Sequence, residues 1–176
     1  MSPYRHGVWV LAAALSGCLA SEEPLIRDAD GVTPLADGTY SYIEDGSERE
    51  AVVSHAGGVT WIVPADEPED GTELRMAKIR RGYYVVMSQE DDAEYLYTLM
   101  RVERRRFTLY KTEGNCRRLQ ELWLVGGKTP ADVGIAAIEG NAVATCAFER
   151  YEDVARAFQD LLADGQLEQA VVFERQ

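Results

Sequence analysis

The chain reads as a β-rich α+β protein: an antiparallel meander, closing as a partly open barrel or a sandwich, with one amphipathic C-terminal helix and a final short strand. Three observations lead there. From Gly38 onward, short segments rich in β-branched and aromatic residues recur at a spacing of roughly 8–12 residues. Turn-forming pairs and charged clusters separate them. Near the C-terminus the period changes to that of a helix, because Tyr151, Val154, Ala155, Phe158, Leu161 and Leu162 share one helical face.

Taken in order, residues 39–43 alternate, with Tyr40 and Tyr42 on one face, and Asp45-Gly46 turns the chain. Residues 51–55 and 59–63 flank Gly57-Gly58, a tight hairpin signal because both central positions of such a turn need positive φ. Residues 64–71 form an acidic loop carrying Asp66, Glu67, Glu69 and Asp70. Residues 74–79 and 83–87 lie on either side of Arg80-Arg81-Gly82, and residues 89–93 make a second acidic turn. Residues 95–102 and 107–111 are joined through Glu103 and Arg104-Arg105-Arg106, and residues 119–125 read as the last strand of this run. Thr129-Pro130-Ala131-Asp132 has the N-cap, the first-position Pro and the early acid of a helix start. Gly134 and Gly140 keep that helix short. Residues 142–148 return to strand. The helix beginning at Tyr151 stops at Asp164-Gly165; its polar face carries Glu152, Asp153, Arg156, Gln159 and Asp160. Residues 170–173 form the closing strand.

The N-terminus has a different character. Residues 1–7 are polar with one fixed positive charge, Arg5; residues 8–15 are unbroken apolar sequence; Ser16, Gly17 and Cys18 follow. A basic start, an apolar middle and a small-residue end make a secretory signal. Eight residues rise only about 12 Å as a helix, far short of the roughly 30 Å hydrocarbon core. The ending Leu15-Ser16-Gly17-Cys18 resembles the lipobox of bacterial lipoprotein precursors. The resemblance implies that the signal is cut before Cys18 and that Cys18 carries thioether-linked diacylglycerol. The protein is then held on a bilayer through acylated Cys18, facing the periplasm. Leu19, where an inner-membrane retention signal has Asp, favours the outer membrane of a Gram-negative cell. There is no twin Arg, which points to export of the unfolded chain. On this reading residues 1–17 are the signal peptide. Residues 18–37, without sustained periodicity and with Pro, Asp and Gly, are a lipidated tether. Residues 38–176 are a single globular domain. Asp28-Ala29-Asp30-Gly31 starts like a calcium loop, but Val32 stands where the third ligand belongs, so no metal site is assigned.

Beyond residue 17, 159 of the 176 residues remain, enough for a substantial core. Their side chains carry a net charge of about −13, which argues against nucleic acid and against broad adhesion to anionic lipid. The acidity suits a cationic partner, such as lysozyme among envelope enzymes. With Cys18 committed to lipid, Cys116 and Cys146 are left in an oxidising compartment and are expected to form a disulfide. It would close a loop of about 30 residues, worth roughly 3.5 kcal/mol by chain-entropy reasoning.

The residues offer little catalytic chemistry. His55 is the one histidine after the apolar run and reads as a surface residue beside the Gly-Gly turn; no partners for a triad or a zinc site accompany it. The acidic clusters lack the apolar context that raises a carboxyl pKa and read as solvated loops. Gly126-Gly127-Lys128-Thr129 ends like a phosphate-binding loop, but Leu122 replaces the required first Gly. Arg101, Arg104, Arg105 and Arg106, with Arg117 and Arg118 nearby in sequence, are a possible anion patch. Their guanidinium forks suit phosphate or carboxylate groups of lipid A, teichoic acid or peptidoglycan. The competing reading pairs them with Glu94, Glu103, Glu113 and Glu121. Tyr40, Tyr42, Trp61, Tyr83, Tyr84, Tyr95, Tyr97, Phe107, Tyr110 and Trp123 are either core or the lining of a ligand cavity, as in calycin-like barrels. The Gly-X-Trp signature of lipocalins is absent, since Thr39-Tyr40 follows Gly38.

The expected function is therefore a non-enzymatic binding or structural module anchored in the cell envelope, with no cofactor, no catalytic residues and no metal. Its partner is an envelope protein or small ligand. Two alternatives stand beside it: a carrier or sensor of a small apolar ligand, and an inhibitor of a cationic envelope enzyme such as lysozyme.

Overall fold

Strands that alternate between buried and exposed residues can close on themselves when both edges find partners, and this meander does so. The computed structural model describes residues 19–27, 30–90, 94–139 and 145–176. In chain order the strands are β1 (Leu19–Ser21), β2 (Gly38–Glu44), β3 (Ser47–Ala56), β4 (Val59–Pro64), β5 (Thr72–Arg80), β6 (Tyr83–Glu90), β7 (Glu94–Val102), β8 (Arg106–Tyr110), β9 (Ile135–Glu139), β10 (Thr145–Phe148) and β11 (Gln169–Arg175). The helices are α1 (Asn115–Val125) and α2 (Tyr151–Asp164). Strands β2 to β8 pair antiparallel in sequence order, and β11 fits between β8 and β2 to complete a closed eight-stranded barrel. Closure settles the expectation left open between barrel and sandwich, and it removes the sheet edges that an open meander would expose.

Strand β7 is where the barrel branches. One edge pairs with β6 along the whole strand. The other edge is shared: Met100, Arg101 and Val102 take β8, while Tyr95, Leu96 and Tyr97 take β1. Strand β1 then pairs in parallel with β10, and β10 pairs antiparallel with β9, so a three-stranded wing grows from the barrel wall.

There are two cores. The barrel interior is filled by side chains, with Tyr40, Tyr42, Phe107 and Phe173 packed ring on ring among Val53, Leu74, Met76, Val86 and Met100. These residues retain almost no accessible surface. A void large enough for a ligand would give its lining measurable surface, so the aromatic residues of β2 and β8 are packing, not the wall of a cavity. The second core lies outside the barrel, where α1 and α2 cover β6, β7 and the wing: Val85, Met87, Tyr97 and Leu99 meet Leu119, Trp123, Val154 and Phe158. Strands β6 and β7 are thus buried on both faces, which explains their nearly continuous apolar sequence.

Three expectations are corrected. The segment expected to be a tether is built into the fold: Leu19, Ala20 and Ser21 are buried between β7 and β10, Ile26 and Leu35 are also buried, and the Tyr97 hydroxyl bonds Ser21 Oγ (2.7 Å) and accepts from the Leu25 amide (3.2 Å). Three residues are too few to show a period, so the sequence concealed the strand. Residues 119–125 are not a strand but the body of α1, whose buried Cys116, Leu119 and Trp123 lie at i, i+3 and i+7. Residues 135–139, placed after a short helix start, form β9; only a single 3-10 turn, Ala131–Val133, precedes them. Residues 142–144, the start of the strand expected over 142–148, lie outside the described residues, as does Gly140.

Cys116 and Cys146 form a disulfide that joins α1 to β10. Helix α2 buries Val154, Phe158 and Leu161 as its periodicity requires, with Leu162 only partly covered. Its Asp153, placed on the polar face by the sequence, is 1% exposed. It ion-pairs with Arg150 (2.8 Å) and Arg156 (3.3 Å) and lies against Gly134.

Candidate functional site

In an up-and-down barrel successive turns alternate between the two ends, so turn composition decides the charge of each mouth. At one mouth lie the turns β3–β4, β5–β6 and β7–β8, together with the C-terminal end of β11. Backbone bonds stitch these neighbours together: Val102 N to Gly82 O (2.8 Å), Arg175 N to Arg105 O (2.8 Å) and Gln176 N to Thr39 O (3.0 Å). The β5–β6 turn brings Arg80 and Arg81, the β7–β8 turn brings Arg101 and Arg104–Arg106, and β11 brings Arg175. Gly82 sits at φ +76° with the Val102 carbonyl close by, which holds the first two turns together at a position suited to glycine.

The guanidinium groups are held in different ways. Arg101 and Arg106 both pair with Glu103, Arg101 at 3.2 Å. The hydrogen bond from Arg106 holds the Glu103 carboxyl below its usual pKa. Arg80 stacks 4.4 Å from the Tyr83 ring centre, with Arg101 on the same ring at 5.8 Å. Arg105 donates to the Arg175 carbonyl (3.1 Å), and Arg175 donates to the Asp37 carbonyl (2.9 Å). Among the described residues no carboxylate lies within ion-pair distance of Arg81, Arg104 or Arg105. Glu174 and Asp37 are also at this mouth but leave it a cationic excess. The expected anion patch is therefore in part a set of ion pairs, at Arg101 and Arg106, and in part an array of forks not neutralised by carboxylates.

The opposite mouth is acidic. Glu44, Asp45 and Glu48 of the β2–β3 hairpin share it with Asp66, Glu67, Glu69 and Asp70 of the β4–β5 loop. Arg49 bridges Asp66 and Glu44 there. Burial raises the Glu44 pKa, and Asp45, Glu67 and Asp66 add to the rise against the opposing pull of Arg49. A molecule of formal charge −12 thus carries a basic pole and an acidic pole at the two ends of one barrel.

The other expected residues fall elsewhere. Cys18 lies outside the described residues. Arg117 and Arg118 sit on α1 and do not join the mouth: Arg117 pairs with Glu121, and Arg118 pairs with Glu121 and bidentately with Asp164. His55 is not a surface residue but a latch. Its Nε2 donates to the Leu35 carbonyl (2.9 Å), and its Nδ1 is bonded to Thr60 Oγ1 (2.8 Å). Two clefts lie outside the barrel. One of about 610 Å³ is bordered by Leu25, Arg27, Lys78, Arg150 and Tyr151, and one of about 350 Å³ by Lys111, Asn115, Arg118, Asp164 and Glu168. Both carry charges of mixed sign; Arg150 of the first pairs with Asp153, and in the second Lys111 pairs with Glu168 and Arg118 with Asp164.

Arg80, Arg81 and Arg175 are missing from the patch read in the sequence. Contiguity along the chain was the wrong criterion; the parity of the turns was the right one. Counting turns from Asp45-Gly46, every second connection is acidic, and those between bring glycine or arginine. Comparison with protein-family models, with curated proteins and with solved structures finds no match to this chain.

Proposed function

We propose that the protein is a non-enzymatic binding module of the cell envelope, held on a bilayer through acylated Cys18, and that its binding surface is the arginine-rich mouth. The observation that carries this reading is the gathering of Arg80, Arg81, Arg104, Arg105 and Arg175 at one end of the barrel while the carboxylates collect at the other. Planar guanidinium forks bind phosphate and carboxylate oxygens in pairs. A dipolar body also orients itself as it approaches a charged surface. The ligand class is accordingly an anionic envelope component that carries phosphate or carboxylate groups. The filled interior leaves the outer surface as the place for recognition.

The test uses the mature chain, residues 18–176, with polyphosphate and with vesicles containing phosphatidylglycerol. Arg104→Ser combined with Arg105→Ser is expected to weaken binding at least about tenfold, since charge-assisted bonds contribute about 1.5–3 kcal/mol each. Added salt is expected to weaken the wild type in the same direction. Glu69→Gln with Asp70→Asn, at the opposite mouth, is the control and is expected to leave binding unchanged. Binding that ignores the arginine substitutions would refute the assignment. A second reading, capture of a cationic enzyme such as lysozyme, draws on the acidic mouth. It predicts binding to lysozyme itself that is lost only in the Glu69 and Asp70 variant.

A further inference from the structure

The start of the wing bears on how the anchor holds the body. Leu19 has no accessible surface and is paired on both sides, to Tyr97 of β7 and to Cys146 of β10. No residue separates it from Cys18. β8 pairs as far as Leu109 with Met100 and ends at Tyr110, while β1 begins opposite Tyr97. Between them, Thr98 Oγ1 donates to the Tyr110 carbonyl (2.8 Å). Strand β1 thus starts opposite Tyr97, partway along β7, on the flank of the barrel and at neither mouth. Just past Tyr110, Lys111 and Glu168 form an ion pair (2.7 Å) and keep the flank polar. Such a surface suits a headgroup layer and not hydrocarbon.

We propose, on the strength of the lipoprotein reading above, that the folded body is seated directly on the bilayer by this flank, with the lipid headgroup layer as its partner. A free N-terminal segment would let a lipoprotein body swing away from its membrane. Here the acylated residue is one peptide bond from a buried, doubly paired strand, so the anchor and the barrel wall move together. Seating by the flank also keeps both charged mouths beside the membrane instead of directing one at it.

The experiment is neutron reflectometry of the full lipidated protein on a supported phosphatidylcholine bilayer, beside a variant with ten Gly-Ser residues inserted between Cys18 and Leu19. Palmitate labelling confirms the anchor first, and unchanged thermal unfolding confirms that the variant folds. The native protein is expected to adjoin the headgroups with no intervening water layer. The variant is expected to stand off by about 17 Å, the span of a ten-residue flexible linker. A labelled native protein that stands off as far as the variant overturns the seating alone. A protein that takes up no label overturns the lipoprotein reading, and the seating falls with it.

Discussion

A Cβ placed on Gly134 would overlap the carboxyl group of Asp153, and Gly134 has φ +80°, a backbone conformation that other residues adopt at a cost. Gly134→Ala combines that strain with overpacking and is expected to destabilise the protein by about 2–4 kcal/mol. Gly127 has a similar φ of +70° but open space around it, so Gly127→Ala is expected to cost only about 1 kcal/mol. Urea unfolding of the two variants separates the contact from the backbone strain. Tyr151 is a second residue whose environment makes a definite statement. Its hydroxyl is buried without a hydrogen-bond partner, and burial, aided by Glu152, pushes its pKa up to about 12. The folded state then holds the phenolic proton more tightly than the unfolded state. That contribution is complete below the ordinary tyrosine value near 10 and is lost as pH rises through 12. Tyr151→Phe removes an unpaired hydroxyl, so it is expected to be neutral or stabilising at pH 7. It is also expected to lose less stability than the wild type between pH 9 and 11, measured as urea midpoints.

At the scale of elements, helix α2 connects sequence to packing most clearly. Phe158 has no accessible surface, and Phe158→Ala is expected to cost about 3–5 kcal/mol, much of a domain's usual margin. Arg156 lies on the outer face but reaches buried Asp153; its half-exposed side chain limits the loss in Arg156→Ala to about 1 kcal/mol or less. A Phe158→Ala protein as stable as the wild type in urea would contradict the packing. Helix α2 was legible because Val154, Phe158 and Leu161, all buried, repeat at helical spacing within its fourteen residues. Helix α1 was not. It is eleven residues long and ends in Leu124 and Val125, which are exposed (76% and 92%) and blur the apolar face formed by Cys116, Leu119 and Trp123. Strand β1 carries no local signal, because its burial comes from β7 and β10, partners distant in sequence. Strands β6 and β7 were found, but the reason for their continuous apolar runs, a core on each face, became visible only once α1 and α2 had been placed.

For the whole molecule, the barrel converts a pattern of turns into a pair of poles. The meander was legible from strand spacing and hairpin signals. Its closure by β11 was not, since β11 is separated from β8 by both helices and the wing. The same topology decides the candidate site: arginines far apart in sequence meet because their turns share an end, and Arg117 and Arg118 are excluded because the chain leaves the barrel before them. In the proposed function this mouth is the binding surface and the packed interior is not. An amide-resolved NMR titration of the mature chain with polyphosphate tests it most directly. Shifts are expected only at residues 80–82 and 103–106 and the end of β11, fading as salt is raised, with Val53, Met76 and Val86 inside the barrel unmoved. Shifts centred on those interior residues or on the acidic loop at 66–70, or no shifts at all, would contradict it.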